Sequence, residues 1–290
     1  MAHIDLEKIK ETKPMEELLK FSILNIDKPS GPTSFQVSQY VKNALNLNKT
    51  SHLGTLDPKV SGVLPILLGR ACRLSDYFMH KEKKYAGIMR LHSDMQISLL
   101  KEKVKKFIGK ISQLPPVRSR VKRELREREI KTFEILETNK KDVLFETEVE
   151  AGTYIRKLVH DIGLEIGGAH MLELRRTKAS IFTEEKLYTL YELEKAIENY
   201  KKGDPSLLKQ MITPAEIISE IMPVVQLIEN KNLLKKVLTG KPLFKEDLET
   251  NIASLKINEN FCLFKEDTFI GVYKKVNEKE IIARPEFVFN

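Results

Sequence analysis

The sequence predicts an α+β fold, a mixed β-sheet domain flanked by helices and followed by a small β-barrel-like domain. Three observations predict it. Period-two apolar runs and 3.6-period amphipathic stretches alternate as far as residue 200. A polar segment with glycine and proline, KKGDPS at 201–206, then interrupts the chain. Beyond residue 214 the charge balance reverses and short apolar runs between turn residues predominate towards the C-terminus. At 290 residues the chain has the length of about two domains, and 41% hydrophobic residues are enough to bury a core.

FSILNID (21–27) reads as a strand ending in the turn KPSGP. Thr33 or Ser34 caps a helix whose apolar face is Val37, Tyr40, Val41, Ala44 and Leu45. After a loop at 50–58, residues 63–68 form an apolar run suited to a buried strand. Residues 84–92 predict a further strand, and Ile97, Leu100, Val104, Phe107, Ile108 and Ile111 make the stripe of a helix over 93–110. Strands follow at 131–137 and in the alternating Val143, Phe145, Thr147, Val149 series. Thr153 is placed to cap a helix through Ile155, Leu158, Val159 and Ile162, before a short strand at 171–177 and an amphipathic helix at 189–200. From there the sequence reads as helical to about Leu238, with Gly240 beyond its end. Short strands are expected near 252–257, 261–264, 268–273 and 280–283.

Lys and Arg number 49 and Asp and Glu 41, so the net charge is +8. The excess is local: residues 101–131 hold 12 basic and 4 acidic side chains, whereas 215–290 hold 11 and 12. The lysines of 101–110 fit a solvated helix face. The LPPVRSRVKRELRER stretch does not, because Pro115 and Pro116 break the helix and Arg118, Arg120, Lys122 and Arg123 follow with little apolar period. An exposed Arg-rich loop suits phosphate, which guanidinium meets bidentately while releasing counterions. Nucleic acid is therefore the expected partner.

Several classes are excluded. Cys72 and Cys262 are far apart and make neither a disulfide framework nor a metal pair. The six histidines lack zinc spacing, and no P-loop, dinucleotide fingerprint or GxSxG elbow is present. Neither a metal nor an organic cofactor is expected. No apolar run is long enough to span a bilayer, and the charged N-terminus lacks the apolar core of a secretory signal, so a soluble, cytoplasmic protein is expected, without membrane contact.

Two segments stand out. SHLGTLDP (51–58) places Asp57 in a Gly- and Pro-bounded loop ahead of an apolar element, although a loop Asp-Pro by itself is usually a turn. GTYIR (152–156) projects Arg156 from a first helical turn, where a surface ion pair is the ordinary role. A buried Arg–Asp pair would instead keep the aspartate ionised.

Together with NIDKPSGPTS, DPKVSGVLP, KKYAGIMRLH, LPPVRSRVKR and ELRR in this order, these segments resemble the TruB/dyskerin family of pseudouridine synthases, in its archaeal dyskerin-type form. The resemblance runs from Pro14 to Leu193 and is weak beyond residue 214, where LTGKPL and IGV match the RNA-binding PUA domain. It implies an arm, 1–20, packing on the C-terminal domain, a catalytic domain, 21–213, and a divergent PUA-like domain, 214–290. It implies isomerisation of uridine in RNA without a cofactor. The catalytic set is then Asp57, with Arg156 as its partner and Tyr85 stacking on the uracil. Leu174 walls the uridine pocket, Lys28 and Pro29 support the catalytic loop, and His52 stacks where the target base leaves its RNA. Ser51 and Leu53 depart from the family pattern. The implied partners are guide RNA, small box H/ACA proteins and a kink-turn-binding protein. Two alternatives stay open at this point: a stand-alone synthase for tRNA uridine 55 in the TΨC loop, and a catalytically silent RNA-binding scaffold.

Replacing Arg118, Arg120 and Arg123 together with alanine is expected to weaken RNA binding and reduce the slope of log Kd against log salt by about two to three. An unchanged slope in a filter-binding titration returns this stretch to the solvated surface.

Overall fold

In the computed structural model, residues 4–115 and 122–290 are described. Fifteen strands and nine α-helices form two sheets with their covering layers among these residues. The first sheet holds β1 (Phe21–Lys28), β2 (Thr50–His52), β3 (Ser61–Gly69), β4 (Lys83–Leu91), β5 (Gly109–Gln113), β6 (Arg126–Asn139), β7 (Asp142–Val149), β8 (Ala169–Ala179), β9 (Phe182–Thr183) and β10 (Ile212–Pro214). Its order is β10-β1-β3-β8-β4-β7-β6-β5, with β2 on β3 and β9 on β8. All neighbours are antiparallel except β3 and β8, which run parallel and pair only through Ser61 with Arg175 and Gly62 with Arg176. The sheet is thus two antiparallel halves joined by a two-residue seam.

The second sheet contains β11 (Val224–Gln226), β12 (Leu243–Phe244), β13 (Asn260–Lys265), β14 (Thr268–Glu278) and β15 (Ile281–Val288), in the order β11-β13-β14-β15-β12. Ile228 N–H donates to Asp247 O and Glu249 N–H to Gln226 O, drawing the chain after β12 back towards the β11 edge. The result is an open five-stranded sheet that closes part of the way to a barrel.

The apolar runs of β1 and β3 are explained by burial on both faces. Leu24, Ile26, Leu64 and Ile66 pack beneath α3 (Ser34–Ala44), α6 (Ile155–Glu165) and α7 (Leu190–Lys201). Phe21, Ile23, Val63 and Leu67 face the other way, against Phe264, Phe269, Val272 and Phe287 of the second sheet. Ile4 and Ile9 of the N-terminal segment enter that same cluster. Lys8 pairs with Asp267 at 2.7 Å, and Lys13 reaches the buried Glu216 at 2.6 Å.

Of the two residues expected to cap α3, Thr33 does so, and Thr189 adds a cap on α7 that was not expected. Thr33 and Thr189 both form capping boxes, with Gln36 and Glu192 respectively. Four expectations are corrected. The 93–110 helix spans only Ile97–Lys105, because Gly109 takes a positive φ and residues 109–113 join the sheet. Thr153 does not cap α6; its hydroxyl donates to Glu150 O at 2.8 Å, and Tyr154 holds the cap position. The region from 206 to 238 is not continuously helical, being divided at Pro214 and Pro223 into a short helix, β10, a 3-10 turn, β11 and the helix Lys231–Leu238. Residues 252–257 form turns in place of a strand, with Ile252 buried and Leu255 part-buried.

Gly62 sits at the seam with a φ of +103°, and a Cβ there would lie 2.2 Å from the Arg176 carbonyl oxygen. Gly62→Ala is therefore expected to lower the unfolding free energy by about 3 kcal/mol, read from urea denaturation.

Candidate active site

β3 and β8 pair through only two residues, and beside this seam the loop after β2 and the first turn of α6 meet, the space between them being the candidate cleft. The loop between β2 and β3 carries Asp57, which is exposed. Across the cleft, the first turn of α6 presents Arg156, and its Nη2 lies 2.5 Å from Asp57 Oδ2. The two side chains retain 58% and 49% of their exposure, so the pair is open to solvent at the cleft mouth and not buried. In water such a pair contributes little stability; its consequence is geometric, since it aims one carboxylate oxygen and leaves the other free.

The Asp57 loop is held by its backbone. Ser34 at the start of α3 accepts from Leu56 N–H at 2.8 Å and donates to Leu56 O at 3.1 Å. Lys28 is fully buried at the end of β1, and its ammonium donates to the carbonyls of Pro29, Pro58 and Val60 at 2.9, 3.0 and 2.7 Å. Gly31 N–H donates to Pro58 O at 2.8 Å. Pro29 itself is exposed and contributes its carbonyl. Burial holds the Lys28 amine below the usual lysine range, with the Asp57 charge opposing that shift.

The floor is built from β4 and β8. Tyr85 on β4 stands opposite Arg176, and Leu174 lies two residues before Arg176 on β8. Tyr85 and Leu174 are 9% and 8% exposed and share one apolar cluster with Leu56, Val60 and Ile155. Beneath them Arg176 is 1% exposed. Its Nε donates to Val63 O at 2.8 Å and its Nη2 to Gly54 O at 3.2 Å and Leu53 O at 3.5 Å, while the Tyr85 hydroxyl also favours its charge. Gly54 has a φ of +89°, and a Cβ on it would stand 3.3 Å from Arg176 Nη1. Lys83 lies alongside, buried, its amine bonded to the carbonyls of Met79 and Lys81. Burial first, and the Arg176 charge second, lower Lys83 to about 8.

His52 sits half-buried on β2 with Nδ1 shielded and without a hydrogen-bond partner among the described residues. Burial and the Arg176 charge both lower its pKa, which favours the neutral ring. Ser51 pairs with Leu67 in the sheet, and Leu53 is buried in the second apolar cluster, so both departures from the family pattern occupy ordered positions.

Asp57, Arg156, Tyr85, Leu174 and Lys28 thus gather around one cleft. The basic stretch is elsewhere, between β5 and β6: Lys122 and Arg123 are exposed, with Lys122 paired to Glu124 at 2.9 Å, and Arg118 and Arg120 lie outside the described residues. Gln113 at the end of β5 connects the two regions, because its amide accepts from Tyr154 N–H at 3.0 Å and donates to Tyr154 O at 3.3 Å, just ahead of Arg156. Sequence reasoning missed Arg176, Ser34 and Lys83. For Arg176 a signal was available, since residues two apart on a strand share a face and Leu174 was already assigned inward.

Because Lys83 is held at about 8 in the folded state against 10.5 ordinarily, the unfolded chain binds more protons between those values and stability rises with pH across that window. In urea unfolding, the wild type is expected to gain more stability than Lys83→Met between about pH 7.5 and 9.5.

Comparison with known proteins agrees with this arrangement. Residues 42–155 match the TruB family pseudouridylate synthase N-terminal domain, and residues 156–219 match the tRNA pseudouridylate synthase B C-terminal domain. A "Probable tRNA pseudouridine synthase B" of Sulfurisphaera tokodaii is 46% identical over 222 residues, covering 76% of this chain and 66% of the relative. One of Methanosarcina acetivorans is 41% identical over 276 residues, covering 94% and 81%. The match thus spans just under two thirds of the length of the Sulfurisphaera relative. Among solved structures, the chain is similar to one described as a Cbf5-Nop10-Gar1 complex, with a TM-score of 0.88 and 38% identity over 97% of this chain and 88% of the other. A structure of an H/ACA RNP bound to a substrate RNA containing 2′-deoxyuridine matches with a TM-score of 0.86 and 35% identity, over 97% and 89%. With the ordered motifs, the two-halved sheet and these relatives in agreement, the chain belongs to the TruB family of pseudouridine synthases.

Proposed function

We propose that this chain isomerises uridine to pseudouridine in RNA, as the catalytic subunit of a box H/ACA-type ribonucleoprotein. The observation that carries the reading is the Asp57–Arg156 pair at 2.5 Å, poised at the mouth of a pocket walled by Tyr85 and Leu174. The reaction breaks the C1′–N1 bond of a nucleotide and joins C1′ to C5 of the same base. Asp57 serves as nucleophile at C1′ or as acceptor of the C2′ proton, and either role needs an ionised carboxylate held in a fixed direction. Arg156 provides that direction. Tyr85 and Leu174 offer the detached base an aromatic face and an apolar wall, and neutral His52 offers a stacking surface where the base leaves its RNA.

Similarity over 97% of the chain to complexes described with Nop10, Gar1 and substrate RNA supports guide-directed modification of ribosomal RNA. A kink-turn-binding protein completes the proposed partner set. The names of the curated relatives favour a second reading, action on tRNA in the TΨC loop. The Arg118, Arg120, Lys122 and Arg123 stretch serves either substrate as a phosphate contact, and the proposed PUA-like unit at 214–290 grips an RNA end.

The test is conversion of uridine in a tRNA transcript and in a guide-paired rRNA fragment, with and without guide RNA and the partner proteins. Conversion of the guided fragment is expected. Conversion of tRNA alone, with none on the guided target, overturns the guided reading, and tight binding without conversion of either favours a scaffold. Asp57→Asn is expected to abolish turnover while leaving RNA affinity within about threefold.

A further inference from the structure

Three basic side chains lie in the interior beneath the pocket: Lys28 at 0%, Lys83 at 6% and Arg176 at 1% exposure. Among the described residues, none of them forms an ion pair with a carboxylate. Each ends on backbone carbonyls instead. The charges are close enough to oppose one another, since Arg176 lowers the proton affinity of both lysines. A buried cation satisfied by carbonyl dipoles and, for Arg176, by the Tyr85 hydroxyl keeps its net charge, and an interior of low dielectric spreads that field further than water does. For stability alone, a carboxylate beside Arg176 or an apolar side chain in its place would serve better. Arg176 stands opposite Tyr85 across β8 and β4, two residues from Leu174. The carboxylates whose charges reach the two lysines are Asp57, already engaged by Arg156, and Glu82, engaged by Lys131.

We infer that Arg176, with Lys83 beside it, is a positioning residue for the detached uracil, holding Tyr85 and the Leu53–Gly54 backbone in place while its unneutralised charge stabilises the negative charge that the base carries. This inference rests on the pseudouridine synthase reading, but on neither role of Asp57. By both routes C1′–N1 breaks with its electron pair going to the base. C1′–C5 then forms from the base's own electrons, the C5 proton departs, and a proton is returned to N1, so no oxidant or reductant is consumed. The base is anionic between the two bond changes, and a fixed positive field under it acts on that interval more than on the bound, neutral uridine.

The experiment compares Arg176→Met, Arg176→Lys and Lys83→Met with wild type in single-turnover reactions, using whichever RNA the wild type converts. The target nucleotide is either uridine or 5-fluorouridine, whose base anion is already stabilised by fluorine. Loss of the original nucleoside is followed in nuclease digests, and RNA affinity and Tm are measured alongside. Arg176→Met is expected to slow the uridine RNA by about 100-fold with affinity within about threefold, and to slow the 5-fluorouridine RNA by only about 10-fold. Arg176→Lys is expected to recover about 10-fold of the uridine rate. Equal losses on the two RNAs, or no loss from any variant, overturn the inference. If Arg176→Met fails to fold, Lys83→Met leaves the Arg176 hydrogen bonds in place. It is expected to give the same contrast at smaller size, and equal losses from it overturn the inference as well. A wild type that converts neither nucleotide in either RNA overturns the pseudouridine synthase reading itself.

Discussion

A guanidinium buried without a carboxylate must be compensated by hydrogen bonds, and Arg176 obtains them from the segments that build the cleft. Its donors end on Leu53, Gly54 and Val63, one side of the Asp57 loop and the strand that follows it. Its backbone forms half of the seam between the two parts of the sheet, where Gly62 must lack a side chain to let it approach. Moving Arg176 therefore disturbs the pairing of β3 with β8, the left-handed turn at Gly54 and the placement of Tyr85 together. Lys28 and Ser34 complete the same arrangement from the β1 side, bonding to Leu56, Pro58 and Val60. Asp57 is thereby directed by side chains that never touch its carboxylate, and the Arg156 contact at the cleft mouth is the last element of a frame set from below.

The division of labour follows from burial. β1 and β3 are covered on one face by helices and on the other by the second sheet and the N-terminal segment, so the catalytic half rests on a scaffold without a solvated face there. The strands further along the sheet alternate buried and part-buried residues and carry charged side chains, among them Lys84 with Glu146 and Lys131 with Glu82. In the sheet, β4 and β7 lie between the β3–β8 seam and the β6–β5 pair that bounds the basic stretch, and the Gln113–Tyr154 amide clamp joins the two regions.

Much of this was legible beforehand because it is local. Capping boxes at Thr33 and Thr189 need only a hydroxyl and a Glu or Gln three residues on, and alternation in 143–149 places one face inward. The motif residues Asp57, Tyr85 and Arg156 were named from the family resemblance of the ordered motifs, but the contact of Asp57 with Arg156 depends on a sheet order that no local pattern contains. What was missed has physical causes. Phe107, Ile108 and Ile111 continue a helical stripe, yet Gly109 redirects the backbone into β5. Ile252 and Leu255 look like a strand and instead fold as turns whose apolar side chains cover the second sheet. Arg176 was assigned no role within the ELRR motif, because its reason for burial lies 113 residues away at Val63.

The seam also has a history in the order of synthesis. β1 emerges early, but its outer edge is covered only when Ile212–Pro214 leave the ribosome, and β3 gains its parallel neighbour only with Arg175 and Arg176. Until then the nascent chain holds an apolar strand with an open edge and a loop whose carbonyls at Leu53, Gly54 and Val63 lack their cation. Vectorial synthesis thus completes the seam late, after the helix bearing Arg156 and before β10 and the second sheet. A ribosome halted before Arg176 would carry a chain with Asp57, Lys28 and Arg156 already made and the support beneath the Asp57 loop still to come.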